Sequence, residues 1–180
     1  NRYSLRQQDC GRYIERQLID QLDSSGKIVI VYGARQVGKT TLIKSVLDQC
    51  AYATLIVNAD ERKYADVLSS RDSAKLAMLV AGYDCVFIDE AQRIPDIGIN
   101  LKILHDSLPQ LKIVVSGSSS FDLANKVQEP LTGRTCTFHL YPIATAELRA
   151  FYNEFELLDK NESLLVYGAY PEIFLIENQQ

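Results

Sequence analysis

Ile28-Val29-Ile30-Val31-Tyr32-Gly33-Ala34-Arg35-Gln36-Val37-Gly38-Lys39-Thr40-Thr41-Leu42 is the stretch whose reading decides the fold. It opens as a short apolar run rich in β-branched residues, as expected of a strand buried on both faces. A loop bounded by Gly33 and Gly38 follows, and Thr40 to Leu47 then reads as a helix. Residues 33–40 satisfy G-x-x-x-x-G-K-[ST] in full. The glycines let the backbone curl until successive N–H groups face one anion. The helix behind them adds its positive N-terminal end. In such a loop Gly33, Ala34, Arg35, Gln36, Val37, Gly38, Lys39, Thr40 and Thr41 wrap the phosphates of a nucleotide. Lys39 neutralises the β- and γ-phosphates, and the Thr40 hydroxyl ligates Mg²⁺. The ligands expected from the loop are therefore a nucleoside triphosphate and Mg²⁺.

Upstream of the loop, Tyr13, Ile14, Leu18, Ile19 and Leu22 recur at helical spacing over residues 12–22. Asp23-Ser24-Ser25-Gly26 ends that helix as a turn. Downstream, further strands are expected over residues 52–58, 84–88, 111–115 and 134–140. Helices are expected over 72–81, 97–108, 121–127, 144–154, 162–167 and 172–177. Strands alternate with helices up to about residue 140, which argues for βαβ units and a parallel sheet covered on both faces. After Pro142 the strands stop.

A second acidic motif ends the third expected strand, Val86-Phe87-Ile88-Asp89-Glu90. Ligands of an open parallel sheet bind at the carboxyl ends of its strands. Asp89 is therefore placed to reach the Mg²⁺ shell, and Glu90 to orient and deprotonate an attacking water. On an extended chain, adjacent side chains face opposite ways, which suits two different roles. A carboxylate at the second position favours water as acceptor, hence hydrolysis over transfer to another hydroxyl.

Composition bounds the alternatives. The chain has 180 residues, 47% hydrophobic and 23% charged, so it is an ordinary globular sequence of about one domain. A formal net charge of −4 supplies no basic field for nucleic acid. No run approaches the roughly 18 apolar residues of a membrane span. Cys10, Cys50, Cys85 and Cys136 form no CxxC pair, which favours a reducing cytoplasm. His105 and His139 have no partner at metal-ligand spacing, so no zinc site is expected. The chain begins at Asn1 rather than Met, which reads as a piece of something longer. A GTPase would need Asn-Lys-x-Asp after a strand, and Asn125-Lys126-Val127-Gln128 ends in Gln within a helical stretch. The Leu-Ser-Gly-Gly signature of an ABC subunit is absent from the sequence.

These motifs resemble the AAA-superfamily P-loop ATPases. More narrowly, they resemble a prokaryotic AAA-domain family that carries a C-terminal region of unknown function and is placed near the STAND signalling ATPases. The matching stretches are residues 33–42, Asp89-Glu90-Ala91-Gln92-Arg93-Ile94-Pro95, Ser116-Gly117-Ser118-Ser119-Ser120, Thr132-Gly133-Arg134, residues 141–147 and residues 167–172. The resemblance implies an α/β P-loop NTPase fold. Its five-stranded parallel sheet has the order 5-1-4-3-2, flanked by helices, with a short helical C-terminal tail. Residues 1–142 would form the ATPase core with its N-terminal helix, and 143–180 a helical lid or the start of a further domain.

The resemblance also implies roles for residues outside the two motifs. Ser118 matches a sensor that reads the γ-phosphate, and Arg134 a phosphate-sensing or finger arginine. Asn58 would hold Glu90 inactive until a partner binds. Arg149 is the remaining candidate for a second sensor, and Ala169 stands where the family has Gly. The expected activity is ATP hydrolysis, with ATP or ADP bound and a homo-oligomer or partner protein engaged. Two other readings stay open: a nucleotide-gated binding module with little turnover, and the ATPase part of a DNA-associated machine.

Overall fold

The computed structural model describes residues 15–24, 26–118, 130–149 and 152–159. Helix α1 (15–24) leads into β1 (Ile28–Gly33), followed by α2 (Lys39–Gln49) and β2 (Thr54–Asn58). Two short helices, α3 (Arg62–Leu68) and α4 (Ser73–Leu79), precede β3 (Cys85–Asp89). A single 3₁₀ turn (Ala91–Arg93), α5 (Ile97–Ser107), β4 (Lys112–Gly117) and β5 (Thr135–Leu140) complete the sheet. Two short helices, α6 (Thr145–Leu148) and α7 (154–159), follow it.

All five strands are parallel, in the order β2-β3-β4-β1-β5, which is the expected 5-1-4-3-2 read from the other edge. Every residue of the central β1 is buried. Its alternate side chains feed two cores. Ile28, Ile30 and Tyr32 pack with Val86, Ile88, Val115 and the helices α4 and α5. Val29 and Val31 pack with Phe87, Val114 and the apolar stripes of α1 and α2, including Leu18, Leu22, Ile43, Val46 and Leu47. A strand that must satisfy both layers reads as an unbroken apolar run, which is why Ile28 to Tyr32 was recognisable.

Several expected boundaries move by one or two residues. Helix α3 was not anticipated, because seven residues with one fully buried side chain, Leu68, give too little periodicity to detect. The helix expected over 144–154 is replaced by the separate segments α6 and α7. The helices expected over 121–127, 162–167 and 172–177 lie outside the described residues. No helix among the described residues is long and apolar enough to cross a membrane.

One buried polar side chain ties the α3–α4 connection to α5. Asn100 is fully buried. Its Oδ1 accepts from the Arg71 backbone N–H at 2.8 Å, and its Nδ2 donates to the Asp96 carbonyl at 3.0 Å. Arg71 and Asp96 both adopt left-handed backbone, with φ of 52° and 51°, and their side chains pair at 2.6 Å. The amide thus satisfies backbone groups that two tight turns aim inward. Asn100→Leu keeps the volume but removes both partners. It is expected to cost about 1–3 kcal/mol in chemical denaturation while leaving the phosphate loop's ligand affinity unchanged.

Candidate functional site

The carboxyl edges of β1, β4 and β3 form the site. Gly33 ends β1 in a crowded position, where an added Cβ would stand 2.5 Å from the Leu140 carbonyl oxygen and 2.9 Å from Val37 Cγ1. Gln36 and Gly38 then turn the chain at φ of 64° and 96°. Helix α2 begins directly behind Gly38 with no side-chain cap and no acidic residue in its first turn. The first N–H groups of a helix have no intrahelical acceptor. Here they face the loop at the positive end of the helix, a setting made for phosphate.

Lys39 is 4% exposed, and its ammonium folds back over the loop. Nζ donates to the Gly33 carbonyl at 3.0 Å and to the Ala34 carbonyl at 2.8 Å. Burial pushes its pKa down; the carboxylates of Glu90 and then Asp89 work against that, and Arg35 adds to it. Arg35, Gln36 and Thr41 are exposed, Ala34 and Thr40 half-buried, and Val37 packs inward.

The Thr40 hydroxyl donates to Asp89 Oδ2 at 2.8 Å. The second Asp89 oxygen, Oδ1, accepts from the Ser116 hydroxyl, and Ser116 Oγ in turn accepts the Glu90 backbone N–H at 3.3 Å. Strand parity explains this meeting. Phe87 and Val114 face α2, so Asp89 and Ser116, two residues further on, face it as well. A hydroxyl and a carboxylate converging from α2 and β3 are hard oxygen donors that fit Mg²⁺. That ion takes one or two protein oxygens and keeps the rest of its shell for water and phosphate. Among the described residues, no three His, Cys, Asp or Glu side chains gather into a separate metal site.

Glu90 differs from its expected geometry. It is not extended but left-handed, with φ 55° and ψ 40°, and it starts the 3₁₀ turn. Its orientation therefore comes from a backbone turn rather than from strand alternation. Its carboxylate accepts from the side-chain amide of Gln92, a contact not anticipated from the sequence although both residues lie in the matching stretch 89–95. Asn58 stands level with Asp89 in the sheet, but its Oδ1 accepts the Asp60 backbone N–H at 3.0 Å, a local turn bond.

Ser118 lies one residue past β4 and is half-buried; the hydroxyl that reaches Asp89 belongs to Ser116. Alternation along β4 was the signal that could have singled out Ser116. Arg134 stands at the opposite end of the sheet, where its carbonyl accepts the Ile28 N–H at 2.8 Å. At ~3.3 Å per strand residue it is roughly 17 Å from the phosphate loop. Its guanidinium makes a two-point ion pair with Asp106, at 2.9 and 3.3 Å. Arg134, and after it His105, hold the Asp106 carboxyl below its ordinary pKa. Arg134 is thus not brought to this chain's own phosphate loop. Arg149 is exposed just after α6, and Ala169 lies outside the described residues.

A family model described as "AAA domain" matches residues 25–149. Uncharacterized proteins of Mycobacterium bovis and Mycobacterium tuberculosis are each 33% identical to the chain over 108 residues. The match covers 59% of the chain and 23% of each mycobacterial protein, so the chain spans about a quarter of their length. Among solved structures, a Walker-type ATPase of Pyrococcus abyssi superposes with a TM-score of 0.61 at 17% identity. That likeness covers 91% of this chain and 64% of the archaeal one, and it extends to the fold.

The crowding at Gly33 yields a direct test of how the loop is held. Gly33→Ala is expected to force the loop away from β5, lowering stability by about 1–3 kcal/mol. It should also weaken binding of inorganic tripolyphosphate, read by denaturation and titration calorimetry on the same preparation.

Proposed function

The chain belongs to the AAA-domain family, and from that membership we propose that it binds Mg·ATP on residues 33–41 and hydrolyses it with Glu90 as general base. The observation that carries the reading is the 2.8 Å bond from Thr40 to Asp89, formed beside the buried Lys39 and the Glu90 carboxylate. A chance glycine turn would not bring these four groups together from the head of α2 and the end of β3.

Each residue has a physical task. Lys39 exchanges two neutral carbonyl acceptors for phosphate oxygens, which make stronger, charge-assisted bonds. Thr40 and Asp89 would hold Mg²⁺, which when bound neutralises charge on the β- and γ-phosphates. The Ser116 hydroxyl and the Glu90 backbone lock the Asp89 carboxylate in place. Glu90 accepts the proton of the attacking water as its oxygen bonds to the γ-phosphorus and the bond to the β–γ bridging oxygen breaks, releasing ADP and phosphate. Ser118, at the rim beyond β4, is the proposed contact for the γ-phosphate. The end of the sheet at Leu140 and the short helices after it support residues 1–142 as the core and 143–180 as a lid or the start of a further domain.

Two substitutions separate binding from chemistry. Lys39→Ala is expected to weaken Mg·ATP affinity by about ten- to a hundredfold, the loss of a charge-assisted bond of ~1.5–3 kcal/mol. Titration calorimetry on a folded variant decides it, and unchanged affinity would remove Lys39 from the site. Glu90→Gln should bind Mg·ATP normally and slow single-turnover hydrolysis by about 10²–10⁴-fold. A variant as fast as wild type would take the base role from Glu90. Tight binding with negligible wild-type turnover would favour the nucleotide-gated module.

A further inference from the structure

We propose that Gln92 is a positioning residue for hydrolysis: its side-chain amide holds the Glu90 carboxylate in place beside the Thr40–Asp89 pair. The inference rests on the reading of Glu90 as general base. Three observations carry it. Gln92 Nε2 donates to Glu90 Oε2 across the 3₁₀ turn Ala91–Arg93. Asn58, level with Asp89 in the sheet, makes no bond to Glu90 among the described residues, its Oδ1 accepting the Asp60 N–H. Finally, Gln92 Oε1 is buried with no hydrogen-bond partner among the described residues.

The third observation separates the two ends of the amide. Among the described residues the Oε1 end makes no bond, and the Nε2 end is the one that grips Glu90.

The contact acts within the cluster at the strand ends. The Glu90 backbone N–H bonds Ser116 Oγ, and the Ser116 hydroxyl bonds Asp89, the carboxylate that also meets Thr40. Glu90 is thus anchored beside the Thr40–Asp89 pair while Gln92 holds its carboxylate. With one carboxylate oxygen fixed by the amide and the backbone pinned to Ser116, the remaining oxygen has few orientations left. That pre-orients it for a water attacking in line with the γ-phosphate.

The fixing needs only the N–H donor of the amide. Methionine has nearly the same length and shape without the donor or the orphaned acceptor. Gln92→Met should therefore slow the step that uses Glu90 without loosening the fold.

The test uses the full-length protein with Mg·ATP and four forms: wild type, Gln92→Met, Glu90→Gln and the double variant. Single-turnover hydrolysis, calorimetric affinity and thermal midpoint are measured for each. Gln92→Met is expected to hydrolyse about tenfold more slowly or worse, bind Mg·ATP within about twofold of wild type, and melt no lower. The double variant should be no slower than Glu90→Gln alone, because a residue acting through Glu90 has nothing left to position. A wild-type rate in Gln92→Met, or an equal slowing in both backgrounds, would overturn the proposal while leaving Glu90 as base. A faster Gln92→Met would make the contact a restraint and overturn it as well. Wild-type turnover in Glu90→Gln, or none in the wild type, would overturn the base assignment and the role of Gln92 with it.

Discussion

The Thr40 hydroxyl bonded to the Asp89 carboxylate joins the first turn of α2 to the end of β3. Strand β4 lies between β1 and β3, so the two strands are ~10 Å apart. A loop leaving β1 can place Thr40 over β3 only if it turns sharply and α2 starts at once. Gly33 allows the close approach to β5, and Gly38 takes the positive φ at the head of α2. The loop, the helix direction and the acidic strand end are thus three parts of one geometric requirement.

The same requirement concentrates polar groups at one edge of an otherwise apolar sheet. Strands β1, β3 and β4 are buried along nearly their whole length, and β3 and β4 bring Asp89 and Ser116 to this edge where they end. Both Asp89 oxygens have donors, and Lys39 is buried on its own loop's carbonyls. The fixed Asp89 carboxylate needs little reorganisation when charge arrives, as in preorganised sites for phosphoryl transfer, whereas Lys39 must leave its carbonyls. The opposite edge is built differently. There Arg134, Asp106 and His105 tie the starts of β1 and β5 to the end of α5, and His105 Nε2 reaches the Gly26 carbonyl at 2.9 Å.

Much of the site was legible because its chemistry is local in sequence. The loop at 33–40 states its own purpose: glycine positions, a lysine and a hydroxyl in a fixed order between a strand and a helix. Asp89 and Glu90 were legible from the apolar run before them. The contacts of Ser116 and Gln92 were not read in advance. Ser116 matters because β4 lies beside β3, and alternation along β4 puts it on the face of Asp89 only once that neighbour is known. Gln92 matters only because Glu90 adopts left-handed backbone, which brings a side chain two positions on back over its carboxylate. Helix α3 escaped notice because it is short and anchored chiefly by Leu68.

The sequence by itself determined the class of fold, the phosphate loop and the acidic strand end, since each follows from nearest-neighbour chemistry and periodicity along the chain. The resemblance of its motifs supplied the strand order, which parallel pairing then realised. Only the tertiary structure decided which polar residues meet. It drew Ser116 onto Asp89, set Gln92 against Glu90, gave Asn58 to a local turn and left Arg134 about a strand's length from the loop. Those outcomes depend on which strands are neighbours and on the sign of one backbone dihedral, quantities with no signature in a linear pattern of residue types.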